Sequence, residues 1–215
     1  MILATVRKIT AASWSPSRAT LHGTQEYLRR KAYVKQLAGE TLKRLGAAAL
    51  RQTGLPVEGP ILLRHDVAGR PFLCADASGM VLFQPGFCSL SHSGDTLLAV
   101  VSDGPVGCDI EHLLRADYPL QALAGFFSEA DLRSLPKSDD RDALRLALTR
   151  LWTRKEAVYK LAGRMPRDQL WLSDGERTRT MLGISFEERI LKDGLVITIA
   201  LKEIEASVRW INFPD

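Results

Sequence analysis

Apolar positions change their spacing several times along the chain, and each change predicts a new element. From residue 24 to about residue 54 the spacing is helical, and Gly54, Leu55 and Pro56 end the helix. Short apolar or alternating segments separated by Gly, Asp and Ser follow, which is typical of strands. We predict these strands at 61–64, 71–74, 80–83, 88–93, 96–102 and 106–113.

The second half of the chain repeats this order of helix and strand. Ser128 and Asp131 have the spacing of a capping box, which predicts a short helix ending near Pro136. A longer helix is predicted from about residue 140 to residue 161, with its end at Gly163. Strands are predicted at 183–189, 195–201 and 208–213. The order indicates an α+β protein of two similar halves, 1–111 and 112–215.

Composition narrows the class of protein. The 215 residues are 46% hydrophobic and 25% charged, which is typical of a globular protein and excludes fibrous, disordered and disulfide-dependent classes. No apolar stretch approaches the ~20 residues that span a bilayer, and Arg7 and Lys8 interrupt the apolar N-terminus, unlike a signal peptide. We therefore expect a cytoplasmic protein without a membrane partner. Cys74, Cys88 and Cys108 lack metal or redox spacing and are expected to be buried thiols.

The formal net charge of +4 is unevenly distributed. The first 50 residues carry nine Lys or Arg against two Glu, whereas residues 101–150 carry nine acids against six bases. This separation suits an anionic ligand at a basic region and a metal ion at an acidic one. A solvated helix face is the alternative interpretation of the basic run.

Three carboxylates are candidates for metal binding. Asp109 and Glu111 alternate along a predicted strand, so both project from one face, an arrangement that favours a hard cation with oxygen ligands. Glu156 lies one helical turn before Lys160, on a stripe with Trp152 away from the apolar stripe of the long helix. The alternatives are a solvated strand face and an exposed ion pair worth only ~0.3–0.5 kcal/mol.

Ser91 and His92 form a second candidate site. Consecutive residues of a strand point to opposite faces, so a serine nucleophile with its neighbour as base is geometrically poor. Hydroxyls beside a histidine at a strand end are better suited to binding phosphate. A polar hairpin turn is the alternative interpretation.

Five motifs follow one another along the chain: Gly69-Arg70-Pro71, Ser91-His92-Ser93, Gly107-Cys108-Asp109-Ile110-Glu111, Phe126-Phe127-Ser128-Glu129, and Trp152-Thr153-Arg154-Lys155-Glu156-Ala157 with Lys160. In this order they resemble the motifs of the Sfp-type 4′-phosphopantetheinyl transferases, and the resemblance covers most of the chain. The chain departs from the family pattern in having Arg70 in place of lysine, Cys88 in place of a common asparagine, and no second glycine after Gly163.

The resemblance implies a pseudo-dimer of two similar α+β halves with the active site between them. It implies transfer of the phosphopantetheine arm of coenzyme A to a serine of an apo acyl or peptidyl carrier protein. It also implies Mg²⁺, or alternatively Mn²⁺, as cofactor. The expected site residues are Asp109, Glu111 and Glu156 for the metal, Glu156 and Lys160 for catalysis, and Lys35, Arg70, Ser91, His92 and Lys155 for coenzyme A.

Two rival functions remain open at the level of the sequence. The first is a non-catalytic module that binds anions or nucleic acid, although the small net charge argues against a nucleic-acid partner. The second is a metal-dependent phosphohydrolase that uses the same carboxylates with water as nucleophile. We expect a monomer, with carrier contacts near Leu113, Leu114, Phe126 and Phe127.

Overall fold

The computed structural model describes residues 1–9, 23–53, 59–77, 80–81, 86–114, 127–137, 140–163, 183–202 and 208–212, apart from the side chains of 23–27, 29–30, 75–77 and 80–81. Three helices lie in these residues: α1 (Gly23–Thr53), α2 (Glu129–Arg133) and α3 (Arg141–Ala162). The strands are β1 (Ile2–Lys8), β2 (Ile61–His65), β3 (Pro71–Ala77), β4 (Met80–Val81), β5 (Gly86–Ser93), β6 (Thr96–Ser102), β7 (Val106–His112), β8 (Ser185–Ile190), β9 (Leu195–Leu201) and β10 (Val208–Trp210).

The strands form two sheets. The larger sheet has the order β10-β1-β6-β5-β3-β2, with β4 paired to β3, and the smaller sheet has the order β7-β9-β8. Neighbouring strands are antiparallel except β1 and β10, which run parallel. Long helices and separate, mainly antiparallel sheets confirm the predicted α+β class.

Alternation along the strands arranges the molecule in four layers. On β1, Ile2 and Ala4 face the smaller sheet, whereas Leu3 faces α1. On the smaller sheet, Ile199 packs against the larger sheet and Ala200 packs against α3. The order of layers is therefore α1, larger sheet, smaller sheet, α3. One long helix covers the outer face of each sheet, which is compatible with two similar halves; the internal symmetry itself stays a prediction.

The helix ends follow their sequence signals. Asp140 accepts hydrogen bonds from the backbone N–H groups of Asp142 and Ala143 and begins α3, and Gly163 ends it in the left-handed conformation, with φ of 72°. Ser128 and Asp131 form the predicted capping box of α2. Trp152 departs from the predicted faces of α3, because its ring packs edge-on against Phe127 in the apolar cluster on the buried side of the helix.

The N-terminal strand β1 is the element that the sequence analysis did not predict. Its register with β6 runs from Ile2 opposite Ser102 to Lys8 opposite Thr96, so it lies inside the larger sheet. The predicted strand at 80–83 is described only over Met80–Val81, and the loop after Gly163 lies outside the described residues. The three cysteines are buried and free, as predicted.

Within the described ranges, no helix combines the length and the apolar composition needed to cross a membrane.

Candidate active site between β5, β7 and α3

Gly107 allows α3 to lie directly against β7. A Cβ atom at this position would lie 2.6 Å from the backbone nitrogen of Leu161 and still closer to the carbonyl oxygen of Ala157. No side chain larger than hydrogen fits between the strand and the helix at this point. The close approach brings Lys160 of α3 to Asp109, two residues along β7 from the glycine.

Asp109 is the centre of the site. Its side chain is buried, and its Oδ1 accepts hydrogen bonds from Lys160 Nζ at 2.8 Å and from Ser91 Oγ at 2.7 Å. Its Oδ2 is also buried, yet it has no hydrogen-bond partner among the described residues. A buried carboxylate oxygen without a partner is costly, which indicates a position meant for a ligand.

Glu111 and Glu156 complete the acidic group from β7 and α3. Burial raises the pKa of each carboxyl above its ordinary value, and the nearby charge of Asp109 raises both further. Ser93 and Lys160 oppose this rise at Glu111, and Lys160 opposes it at Glu156. Burial, more than the neighbouring charge, therefore disfavours the ionised form of these two carboxyls.

This donor set fits a hard divalent cation in its chemistry. Carboxylate oxygens are the ligands that Mg²⁺ prefers, and the unpartnered Asp109 Oδ2 is one such oxygen. In the part of the chain that the structure describes, however, no three His, Cys, Asp or Glu side chains lie close enough together to hold a metal ion as they stand. Lys160, and not a third carboxylate, is the nearest charged partner of Asp109.

Ser91 and His92 point to opposite sides of β5, as alternation requires. His92 is exposed, whereas Ser91 is half-buried and donates its hydroxyl hydrogen to Asp109. A serine hydroxyl has only one hydrogen to donate, so Ser91 cannot donate to a phosphate at the same time. The structure thus connects Ser91 with the carboxylate and places His92 on the exposed side of β5.

Arg70 reaches the end of α3 from the turn between β2 and β3. Its guanidinium pairs with Asp66 at 2.7 Å, and its Nη1 lies 3.9 Å from where a Cβ of Gly163 would be. The arginine therefore lies beside the C-terminus of the helix that carries Glu156 and Lys160. Lys35 is exposed on α1, the outer layer on the other side of the larger sheet.

Lys155 is placed elsewhere than predicted. It is 1% exposed, its Nζ lies 2.7 Å from Asp131 Oδ2, and its ammonium lies 5.5 Å from the centre of the Phe127 ring. This buried charge attaches α2 to α3, which argues against the expectation that Lys155 binds coenzyme A; that expectation stays a prediction. Burial on its own would raise the pKa of Asp131, but Lys155 and Ser128 lower it below its ordinary value.

A second buried ion pair, missed by sequence reasoning, attaches α3 to the smaller sheet. Glu188 of β8 accepts hydrogen bonds from Arg154 Nε and Arg150 Nη2, each at 2.9 Å. Arg154 is fully buried, and Thr153 and Thr198 share a hydrogen bond of 2.7 Å beside the pair. Arg154 and Glu188 are 34 residues apart in sequence, so no local pattern could reveal the contact.

Ser89 and Ser93 were missed as well. Ser89 Oγ accepts a hydrogen bond from the backbone N–H of Cys108, and Ser93 Oγ donates to Glu111 Oε2 at 2.7 Å. Their signal was present in the sequence, because serine recurs at every second position of β5 from Ser89 to Ser93.

Comparison with known proteins shows which sequences this chain resembles. Residues 105–209 match the family model of the 4′-phosphopantetheinyl transferase superfamily. Over 109 residues the chain is 34% identical to the 4′-phosphopantetheinyl transferase AcpT of Salmonella typhimurium, and the match covers 49% of this chain and 56% of that protein. Over 159 residues it is 28% identical to the 4′-phosphopantetheinyl transferase gsp of Aneurinibacillus migulanus, covering 73% and 60% respectively. Over 76 residues it is 38% identical to the 4′-phosphopantetheinyl transferase psf-1 of Bacillus pumilus, covering 35% and 31%.

The matched region contains Asp109, Glu111, Glu156 and Lys160, the four residues that the fold assembles between β7 and α3. Residues 105–209 carry a domain of the 4′-phosphopantetheinyl transferase superfamily, which confirms the family predicted from the ordered motifs over this part of the chain. The chain spans little more than half the length of the AcpT relatives that it matches.

Proposed function

We propose that this protein transfers the 4′-phosphopantetheine arm of coenzyme A to a serine of an apo acyl or peptidyl carrier protein and releases adenosine 3′,5′-bisphosphate. The observation that carries the proposal is the agreement between the matched family region and the site. That region contains the four residues of the site, Asp109, Glu111, Glu156 and Lys160. The 2.8 Å contact of Lys160 with Asp109 joins α3 and β7, the two elements that carry them.

The reaction exchanges one phosphorus–oxygen bond for another. The carrier serine oxygen bonds to the phosphorus next to pantetheine, and the bond from that phosphorus to the bridging oxygen of the pyrophosphate breaks. Glu156, a half-buried carboxylate near Asp109 and Lys160, takes the serine proton directly or through a water. The Lys160 ammonium offsets the negative charge that develops on the leaving phosphate or protonates it.

Asp109, Glu111 and Glu156 would hold Mg²⁺, or alternatively Mn²⁺. When bound, the cation neutralises and orients the pyrophosphate, which three carboxylates would otherwise repel. We assign the coenzyme A phosphates to Arg70 and His92, which are both accessible, with Lys35 as a more distant contributor. Ser91 is left out of the phosphate site because its hydroxyl hydrogen is donated to Asp109.

We further propose that the protein acts as a cytoplasmic monomer without nucleic acid or membrane. The three free, buried cysteines are consistent with a reducing compartment. Carrier contacts near Leu113, Leu114 and Phe127 remain part of the proposal, whereas Phe126 lies outside the described residues.

Mass spectrometry of an apo carrier protein incubated with the protein, coenzyme A and MgCl₂ tests the function. A gain of one phosphopantetheine on the carrier supports the proposal. Cleavage of coenzyme A with an unmodified carrier would indicate the phosphohydrolase, and the absence of both reactions would indicate a binding module.

The variant Asp109→Asn tests the site within the same assay. The amide keeps the shape of the side chain but removes the charge, and loss of such charge stabilisation costs several kcal/mol, so we expect transfer to fall by about 100-fold or more. Circular dichroism should show a folded variant. Asp142→Asn, which alters an exposed carboxylate paired with Arg145, is the control and should keep normal transfer. Equal rates for the two variants would refute the assignment of Asp109.

A further inference from the structure

Three serines lie on one face of β5 and point toward β7. Ser89, Ser91 and Ser93 occupy alternate positions, so they share the face opposite His92, and we name them the serine row. Ser89 is 4% exposed and Ser93 is 8% exposed, which places both among the buried polar residues of the chain. Buried hydroxyls require partners, and the partners of this row belong to β7.

The serine row makes two kinds of contact with β7. Ser89 and Ser93 accept hydrogen bonds from the backbone N–H groups of Cys108 and His112, at 3.0 and 3.3 Å. Ser91 and Ser93 donate hydrogen bonds of 2.7 Å to the carboxylates of Asp109 and Glu111. Ser93 does both, because a hydroxyl has one hydrogen to donate and two lone pairs to accept.

Each carboxylate is thus held through one oxygen. Asp109 is bonded through Oδ1, and its Oδ2 remains buried and without a partner among the described residues. Glu111 is bonded through Oε2. A carboxylate fixed through one oxygen cannot rotate freely, so the direction of its other oxygen is also fixed.

We propose that Ser91 and Ser93 are positioning residues that orient Asp109 and Glu111 toward a divalent cation. The inference rests on the proposed function, since it assigns the cation to the same carboxylates. It gives the alternating serines of β5 a role distinct from phosphate binding. It also makes β5, from the larger sheet, a part of the metal site in the smaller sheet.

Mn²⁺ titration of the protein alone, followed by electron paramagnetic resonance, tests this role without coenzyme A or carrier. Ser93→Ala removes the hydrogen bonds to Glu111 and to the His112 N–H. Ser89→Ala is the matched control, because it removes a buried hydroxyl from the same face that bonds to a backbone N–H but to no carboxylate. We expect Ser93→Ala to weaken Mn²⁺ binding about tenfold or more, because removing the hydrogen-bond partner of a metal ligand lowers metal affinity by about that factor. Ser89→Ala should change Mn²⁺ binding less than about twofold.

Ser93→Thr, which keeps the hydroxyl, should restore Mn²⁺ affinity. Ser93→Ala and Ser89→Ala should lower the thermal unfolding temperature Tm to a similar extent, since each leaves one buried backbone N–H without its acceptor. If Ser93→Ala does not fold, Ser91→Ala applies the same test to Asp109 and should weaken Mn²⁺ binding to the same degree.

Equal Mn²⁺ affinities for Ser93→Ala and Ser89→Ala would overturn the inference and reduce the row to a structural contact between the sheets. Wild-type protein that binds no Mn²⁺ would overturn it too. The carrier assay tests the proposed function separately. If the protein transfers phosphopantetheine but the two alanine variants bind Mn²⁺ equally, only the positioning role is refuted. If the variants differ in Mn²⁺ affinity but no transfer occurs, only the proposed reaction is refuted.

Discussion

Lys155 and Glu156 are consecutive residues of α3 with opposite surroundings. A helix turns about 100° per residue, so Lys155 points to α2 and its buried partner Asp131, whereas Glu156 is half-buried near Asp109. The sequence could predict the shared stripe of Glu156 and Lys160, because that spacing is local. It could not predict the partner of Lys155, because Asp131 reaches it only through packing of a separate helix.

Replacement of Lys155 by methionine should destabilise the protein and leave the KM for coenzyme A unchanged. The variant leaves Asp131 buried without its counter-ion, which costs about 3–5 kcal/mol in free energy of unfolding. Urea unfolding measures the loss. Arg133→Met, in the exposed pair with Glu129, is the control and should cost about 0–1 kcal/mol. A raised KM with unchanged stability would return Lys155 to the coenzyme A site.

Lys160→Met should bind Mn²⁺ more tightly than wild type while its kcat falls. The ammonium lies 2.8 Å from Asp109 Oδ1, so it competes with a divalent cation for the same negative charge until the leaving phosphate draws it away. Titration of the protein alone with Mn²⁺ gives the affinity, and Lys192→Met, at an exposed position, is the control. Weaker Mn²⁺ binding in Lys160→Met would contradict this competition.

At the scale of elements, the ends of helices were predictable and their positions were not. Asp140, Gly163 and Ser128 carry capping signals that act within one turn, and the structure places the helix ends at these residues. The depth at which α3 lies on β7 depends on Gly107, which belongs to another element. A motif marks such a glycine but does not tell which backbone approaches it.

Gly107→Ala should lower stability and activity together. The added methyl group would meet the backbone of α3 at Ala157 and Leu161, so strand and helix must separate, and overpacking of this kind costs about 1–3 kcal/mol or more. Separation also moves Lys160 away from Asp109. Urea unfolding and the carrier assay measure the two effects. Gly104→Ala, with no atom within 4 Å of the added Cβ, is the control and should match wild type in stability and in activity. If Gly107→Ala also matches wild type, α3 can adjust to the added methyl group.

The whole molecule has a topology that local patterns do not contain. Alternation predicted most strands and the α+β class, but β1 ends in Arg7 and Lys8 and is recognisable only by its register with β6. The last described strand, β10, lies beside β1 at the edge of the larger sheet, so residues more than 200 positions apart pair with each other. Such long-range pairing depends on the assembled layers and not on any single segment.

Stability in metal-free buffer should be greatest at mildly acidic pH. Burial and Asp109 raise the pKa of Glu111 and Glu156, so their charged forms disfavour folding and protonation relieves this as the pH falls from 7 toward about 5. Burial acts against ionisation of Glu188, but Arg154 and Arg150 lower its pKa overall, as Lys155 does for Asp131. The ionised Glu188 and Asp131 therefore stabilise the folded protein at any pH above about 4, the pKa of these carboxyls in the unfolded chain. This stabilisation is lost as the pH falls further, through the lower pKa values that the two carboxyls have in the folded protein.

Differential scanning calorimetry with EDTA from pH 3 to 8 gives the profile. A double variant, Glu111→Gln with Glu156→Gln, should lose the rise in Tm between neutral and mildly acidic pH and keep the fall below about pH 4. A wild-type Tm that declines steadily from pH 7 downward would contradict the raised pKa values.

The parallel pairing of β1 with β10 also sets how the protein responds to a mechanical pull. Ile2 lies opposite Val208 and Ala4 opposite Trp210, and the Ile211 N–H donates to the Ala4 carbonyl at 2.8 Å. Trp210 in turn donates to Glu187 of β8 and lies under the Arg189 guanidinium, so β10 is also held by the smaller sheet. Tension that draws β1 backward and β10 forward slides the two strands along each other. The hydrogen bonds between them then share the load and must break together, whereas an antiparallel pair of terminal strands would open one bond at a time.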